Sequence, residues 1–271
     1  IWIEPGSPDF DKVVGINFLE AAYDKDHPDY DREVTAMVDD LTAILKGGDY
    51  WGPKMEGITT NIARAMIRSD IDFNLMDMYY VLRSPESREA FAETVRREGE
   101  ALAEEGADDR FVDDMRNIHT YTKQIAEMDY DEVDAVVRRI QSWIEDPIAR
   151  GVVAHREGTV NITEAVEDGK ILLVNVDIDN EDIKGVIATA VMRRIWAAIK
   201  ARREDEAERT PFFSFIDEFD DVATEEMNIE KMLSKARSGK MGVSLACQNP
   251  SQIPEAPRNQ MFANVRTLNT F

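Results

Sequence analysis

Hydrophobic positions along the chain follow two different rhythms. From residue 29 to about 150 they recur three and four apart. Val34, Met37, Val38, Leu41, Ile44 and Leu45 mark one face of a helix. Gly47-Gly48 ends it, and Trp51-Gly52-Pro53 opens the next, which runs through Ile58, Ile62, Ala65 and Met66. The spacing predicts further helices over 85–105, 109–127 and 131–145. Ser84-Pro85-Glu86 and Asp129 to Glu132 supply their start signals, because small polar caps and early acids suit a helix N-terminus. No strand-like run interrupts this stretch.

On either side the rhythm changes. Ile1-Trp2-Ile3 reads as a strand, followed by Pro5-Gly6-Ser7-Pro8 and a loop through Gly15-Ile16-Asn17-Phe18-Leu19. Ile171 to Val176 is a short apolar run after Asp168-Gly169, which predicts a buried strand. Residues 181–203 predict a long helix with Ile183, Ile187, Val191, Ile195 and Ile199 on one side. Phe212 to Ile216 is a second strand, 226–238 a helix, and Val243 to Cys247 a third strand. Val265 to Phe271 predicts a last one. Strands alternating with helices predict a parallel α/β sheet. The chain is therefore read as α/β in three parts: 1–20 and 151–271 build one α/β domain, and 21–150 is an inserted all-α domain.

Composition narrows the function classes. The chain has 271 residues, 54 Asp+Glu against 32 Lys+Arg, and a net charge of −22. Such a surface argues against binding nucleic acid or anionic lipid over a whole face, although it leaves room for a narrow basic channel. The 43% hydrophobic fraction is too high for a disordered acidic chain. No apolar run approaches the ~20 residues of a membrane span, which predicts a cytoplasmic protein. A single cysteine, Cys247, fits a reducing compartment. Acid spread along the whole chain, with Arg outnumbering Lys 21 to 11, suits a protein hydrated in concentrated salt and points to a halophilic source.

Candidate chemistry begins at Phe212-Phe213-Ser214-Phe215-Ile216-Asp217-Glu218. Two carboxylates follow directly on an apolar strand, and ligands of parallel sheets bind beyond the carboxyl ends of the strands. This is a Walker B pattern with a following Glu. In such sites the Asp holds Mg²⁺, a hard ion that keeps part of its water, and the Glu polarises the water that attacks a γ-phosphate. The plainer reading is a strand ending in a polar turn that caps the next helix. Later comes Ser244-Leu245-Ala246-Cys247-Gln248-Asn249-Pro250, which puts Gln248 at a neighbouring strand tip, where it would sense a γ-phosphate. Between them lies Leu233-Ser234-Lys235-Ala236-Arg237-Ser238-Gly239-Lys240, basic in an acidic protein. Arg237 is a candidate phosphate finger, in its own subunit or a neighbour's. The alternative is cationic capping of a helix end before Gly239.

In this order the motifs resemble the FtsK–HerA superfamily of P-loop ATPases, and within it the conjugation and type IV secretion ATPases, including coupling proteins that pump DNA. Asp217-Glu218, Arg237 to Val243, Ala246 to Gln252, and Asn264-Val265 carry the resemblance. Trp2-Ile3-Glu4-Pro5 is similar to the segment before the helical insertion of those proteins, and Asp168 to Val174 to the strand that resumes the motor. The resemblance implies a partial RecA-like P-loop NTPase sheet, with ATP and Mg²⁺ as cofactors and DNA as cargo. It implies a hexameric ring of identical subunits and a membrane-tethered secretion machinery reached through other segments. Under it Asp217 holds the metal, Glu218 activates water, Gln248 senses nucleotide and Arg237 is a finger.

One element of the superfamily's pattern is missing. No G-x-x-x-x-G-K-[ST] occurs: Gly47-Gly48 lacks the Lys-Ser/Thr, and Gly239-Lys240 follows a helix instead of preceding one. The chain is thus expected to be the C-terminal portion of a motor whose phosphate-cradling loop lies upstream of Ile1, and to bind ATP poorly by itself. Relatives that export protein or pili, HerA-like DNA-processing translocases, and a non-hydrolysing scaffold derived from a motor are the alternatives.

Other residues read as structure. His27, His119 and His155 show no ligand spacing with Cys247, and Cys247 reads as a buried inert thiol. Trp51 and Trp143 read as core or interdomain anchors. Arg96-Arg97, Arg138-Arg139, Arg193-Arg194 and Arg202-Arg203 read as solvated faces.

Overall fold

The computed structural model describes residues 1–5, 15–46, 51–178, 181–202, 207–224, 227 and 229–269. The chain divides into two compact units. One is Asp9–Val160; the other joins Ile1–Pro8 to Asn161–Phe271.

The first unit is helical: α1 (Tyr30–Leu45), α2 (Pro53–Arg68), α3 (Leu75–Arg83), α4 (Pro85–Glu104), α5 (Asp109–Ala126), α6 (Tyr130–Glu145) and α7 (Pro147–Val153). Gly47-Gly48, read as the stop of α1, lies outside the described residues. The starts at Ser84 and Asp129 are as the sequence predicts. Ser84 Oγ accepts from Ser87 N at 3.2 Å with Pro85 in the first turn, and Asp129 N donates to Glu132 Oε2 at 3.0 Å. The apolar stripe of each helix faces a common core in which Val34, Leu41, Ile62, Leu82, Val95 and Ile140 are all at most 1% exposed. Trp143 joins it, edge-to-face with Phe18 at 6.2 Å. Trp51 is only half-buried. Arg96 pairs with Glu93 and Glu100, Arg97 with Glu93, and Arg138 with Asp134, all along the helix surfaces.

Helix α3 was not anticipated. Asn74 caps it, accepting from Asp77 N at 3.0 Å while its own N–H donates to Asp77 Oδ2 at 3.1 Å. Leu75, Met78, Tyr79 and Leu82 then turn inward. The corner to α4 is held by Arg88, 1% exposed, whose guanidinium donates to Leu82 O at 2.7 Å and Met128 O at 2.6 Å.

Both chain ends of the described helical unit are tied together. Gly15 N donates to Thr159 Oγ1 at 2.9 Å and Ile16 N to Val152 O at 2.9 Å. Buried Asn17 donates to Phe73 O and Arg156 O. Only glycine fits at 15, since a Cβ there would lie 2.2 Å from the His155 ring.

The second unit is α/β. Its strands are β1 (Trp2–Ile3), β2 (Leu173–Val174), β3 (Phe212–Ile216) and β4 (Met241–Leu245); its helices are α8 (Ile162–Glu167), α9 (Glu181–Ala201), α10 (Phe219–Val222), α11 (Ile229–Lys235) and α12 (Glu255–Asn264). β1 pairs with β2 and β3 with β4, both in parallel. A complete RecA-like sheet is not present among the described residues; there are two parallel pairs. Buried Ser214 turns its hydroxyl to Met192 of α9, so one face of β3 lies on that helix.

Several sequence expectations are corrected here. The strand expected over Ile171–Val176 is reduced to β2, and it is open: Ile171 is 75% and Leu173 52% exposed. Only two of its residues find a partner strand, and a strand ends where its pairing ends. No strand occupies 265–269, where Val265 N instead closes the last turn of α12 by donating to Met261 O; 270 and 271 lie outside the described residues. The third strand runs Met241–Leu245, so Cys247 falls beyond it and is half-buried. Parts of the helix predicted over 226–238 lie outside the described residues, as do Gly6-Ser7-Pro8 and Arg203; α11 covers Ile229–Lys235. Arg193 and Arg194 are half-buried. No described helix is long and apolar enough to cross a membrane.

Candidate functional site

The parallel pair β3–β4 aligns Phe212 with Met241 and Ile216 with Leu245, so both strands stop at the same level. Asp217 and Glu218 emerge from one, Ala246, Cys247 and Gln248 from the other. The alignment continues past the strands: Ala246 N donates to Ile216 O at 2.9 Å, and Phe219 N to Ala246 O at 2.8 Å. Asn249 N then donates to Asp220 Oδ2 at 3.0 Å, tying the Gln248 loop to the start of α10. Asp217, Glu218 and Gln248 are thus brought side by side, all exposed, beyond the carboxyl ends of parallel strands.

Glu218 has φ 48° and ψ 46°, a left-handed conformation that costs a non-glycine residue of order 1 kcal/mol. Two features hold it there. Glu218 N donates to Asp217 Oδ1 at 3.0 Å, and the Phe219 ring behind it is wholly buried. An observed strain at an acidic strand end marks a candidate site.

The carboxylates are not equivalent. Asp220 is committed to Asn249 N, and Asp221 faces Lys184 Nζ at 3.6 Å. Asp217 spends Oδ1 on Glu218 N and keeps its other oxygen. Among the described residues no group of three or more His, Cys, Asp or Glu converges as a metal cage. The donors present suit a hard ion that takes one or two carboxylates and completes its shell with water and phosphate oxygens. Burial and the nearby Asp220 carboxylate push the Cys247 thiol up, away from the thiolate form a nucleophile needs.

Arg237 is not brought to this cluster. It lies between α11 and the first residue of β4, at the amino end of the strand, about 16 Å of strand away from the Gln248 end. Its carbonyl accepts Lys240 N at 3.0 Å, and Lys240 Nζ donates to Ala207 O at 2.7 Å. Gly239 N donates to Lys235 O at 3.3 Å, so the basic run closes the turn that leads into β4.

Sequence reasoning missed the Asp220–Asn249 tie, Lys184 and Phe219. Phe219 and Val222 sit three apart right after the acidic pair, which was a legible sign of a short anchored helix; nothing local pointed to Lys184.

A cleft of about 1030 Å³ opens in this unit, bordered by β2, β3 and α9 and reaching Asp217, Glu218 and Lys184. The protein so defined is an α/β chain with parallel strands and a helical unit between its first and second strands. It matches no family profile and no protein of curated function. Among solved structures it is similar to a bacterial conjugative coupling protein, TrwBdeltaN70, in its unbound monoclinic form. The TM-score is 0.55 at 13% identity, over 98% of this chain and 56% of that one. The two share a fold, and this chain spans little more than half the length of its neighbour.

Proposed function

We propose that this chain is the part of an ATP-driven motor that carries the acidic pair and the sensor glutamine, in a protein that moves DNA during conjugation-type transfer. The observation behind this reading is the adjacency of Asp217, Glu218 and Gln248 at the carboxyl ends of β3 and β4. The shared fold with a conjugative coupling protein supports it. Asp217 would hold Mg²⁺, Glu218 would polarise a water for attack, and Gln248 would sense the nucleotide. Bound ATP would supply the phosphoryl group that is transferred. The phosphate-cradling loop comes from polypeptide outside residues 1–271. Arg237, remote from its own acidic pair, acts on a neighbouring subunit's nucleotide in a hexameric ring or serves as the turn described above. Tethering to membrane machinery belongs to segments outside this chain, and the acidic coat suits a high-salt cytoplasm.

ATP hydrolysis by the protein extended upstream, with and without double-stranded DNA in molar KCl, tests this reading. We expect DNA-stimulated turnover that falls about 10²–10⁴-fold in Glu218→Gln while nucleotide still binds. Turnover indifferent to DNA redirects the assignment to protein export. No turnover in a folded, oligomeric sample leaves a scaffold derived from a motor.

A further inference from the structure

Glu218 and Gln248, the pair assigned to water and nucleotide, share one property. Both side chains are exposed, and neither has a hydrogen-bond partner among the described residues. A free side chain can act only if the backbone beneath it is fixed, because a functional group must be held to within about 0.5 Å of its working position.

The backbone around Gln248 is held on both sides. Before it, Ala246 N donates to Ile216 O at 2.9 Å and Ala246 O accepts Phe219 N at 2.8 Å. After it, Asn249 N donates to Asp220 Oδ2 at 3.0 Å. The rest of the loop bonds to itself. Asn249 Oδ1 accepts Ser251 N at 3.1 Å and Ser251 Oγ at 2.6 Å, and Asn249 O accepts Gln252 N at 3.1 Å. Among the described residues, the bond to Asp220 is thus the one hydrogen bond by which residues 247–252 reach beyond their own loop.

A clamp works only if its far end stays put. Asp220 belongs to α10, whose Phe219 and Val222 are buried. This short helix also leans on α9. Asp221 Oδ2 faces Lys184 Nζ at 3.6 Å, and just beyond α10 Thr224 Oγ1 lies 2.9 Å from Thr189 Oγ1. Glycine at 185 permits that approach, since a Cβ there would come within 2.9 Å of the Thr224 methyl. Glu218 opens the same helix, so one seated frame carries both Glu218 and the carboxylate that holds the Gln248 loop.

We propose that Asp220 is a positioning residue, whose carboxylate clamps the Gln248 loop to the Glu218 turn and sets the separation of those two side chains before nucleotide arrives. Asp220 acts through Gln248 and touches neither ion nor nucleotide. Its kinetic consequence rests on the proposed motor function; the clamp itself needs no nucleotide. The neighbouring acids divide the labour: Asp217 and Glu218 serve chemistry, Asp220 geometry, and Asp221 the contact with α9.

Asp220→Ala and Asp220→Asn test it, the second keeping an acceptor oxygen without the charge. In residues 1–271 the Asn249 amide exchanges with solvent about 10-fold faster in Asp220→Ala and close to the wild-type rate in Asp220→Asn. In the upstream-extended protein Asp220→Ala lowers kcat for ATP hydrolysis by about 10–100-fold at a KM within about twofold, and Asp220→Asn recovers most of the loss. An Asn249 amide that ignores Asp220→Ala overturns the proposal, because no clamp then exists. A faster amide with unchanged kcat overturns it too and leaves a loop staple, read as a lower urea midpoint alone. Asp220→Asn as slow in turnover as Asp220→Ala overturns it by making the charge the active feature. A raised KM at unchanged kcat overturns it by placing Asp220 on the nucleotide. No turnover in the wild type, with an Asn249 amide that still responds, sinks the motor and spares the clamp; turnover indifferent to Asp220→Ala does the reverse.

Discussion

Two phenylalanines summarise how differently the two units are built. Phe91 of the helical unit is 4% exposed and meets Phe73 edge-to-face at 5.4 Å. Phe215 of the α/β unit is 80% exposed. A helix satisfies its backbone internally, so a bundle closes as soon as its stripes meet. A strand depends on neighbours at both edges, and a sheet with edges to spare remains open. The helical unit closes its core by this measure; the described strands of the α/β unit keep unpaired edges.

The sharpest way to break this contrast is at Phe91. Phe91→Ala is expected to destabilise the helical unit by about 3–5 kcal/mol, measured by urea unfolding. A loss below 1 kcal/mol would mean that the bundle is loosely packed and the comparison fails.

Next is Tyr30. Its hydroxyl donates to Ile67 O at 3.1 Å, and burial pushes its pKa up to about 12, against the opposing pull of Arg68 beside the ring. The folded state thus holds the proton more tightly than the unfolded state. The stability so gained is complete below pH ~10 and is lost as pH rises to ~12, by an amount of order 2–3 kcal/mol. Tyr30→Phe should lose this component of the alkaline decline and keep the rest; an unchanged slope refutes the assignment.

Asn74 comes third. It is 5% exposed, caps α3 and donates to Ala154 O at 2.7 Å. Asn74→Ala is expected to cost about 2 kcal/mol by the same unfolding measurement, one cap and one orphaned carbonyl together. Asn74→Ser should recover part of it by restoring the cap alone.

The smallest expected effect carries the comparison's other half. Phe215→Ala in residues 1–271 should change stability by no more than about 0.5 kcal/mol. A loss above about 2 kcal/mol would mean that this face is covered and the comparison fails.

What the sequence revealed follows the same divide. The starts of α4 and α6 were legible because Ser84-Pro85 and Asp129 to Glu132 act within one turn. The nine residues of α3 were hidden between longer neighbours, although Asn74 and Asp77 spell a capping box. Ile171 to Val176 is apolar enough for a buried strand, yet pairing decides how much of it becomes one, and β1 reaches only two residues. Val265 to Leu268 likewise finds no partner strand among the described residues. For the candidate site, Asp217, Glu218 and Gln248 were legible because parallel topology carries strand ends to one edge. The Asp220–Asn249 bond and the approach of Lys184 to Asp221 join residues 29 and 37 positions apart, and no local pattern announces them.

The bond between Gly15 and Thr159 also has a kinetic meaning. Pairing β1 with β2 joins residues 170 positions apart, as the bond from Ile1 N to Ile171 O records. A helical unit that has already folded short-circuits that span at Gly15–Thr159. The loop left to close is roughly 26 residues, which lowers its entropic cost by about 2 kcal/mol. Synthesis runs in the favourable order: β1 emerges first, the helices assemble behind it, and β2 arrives to find its partner already near. The insertion thus shortens the loop that the discontinuous unit flanking it must close.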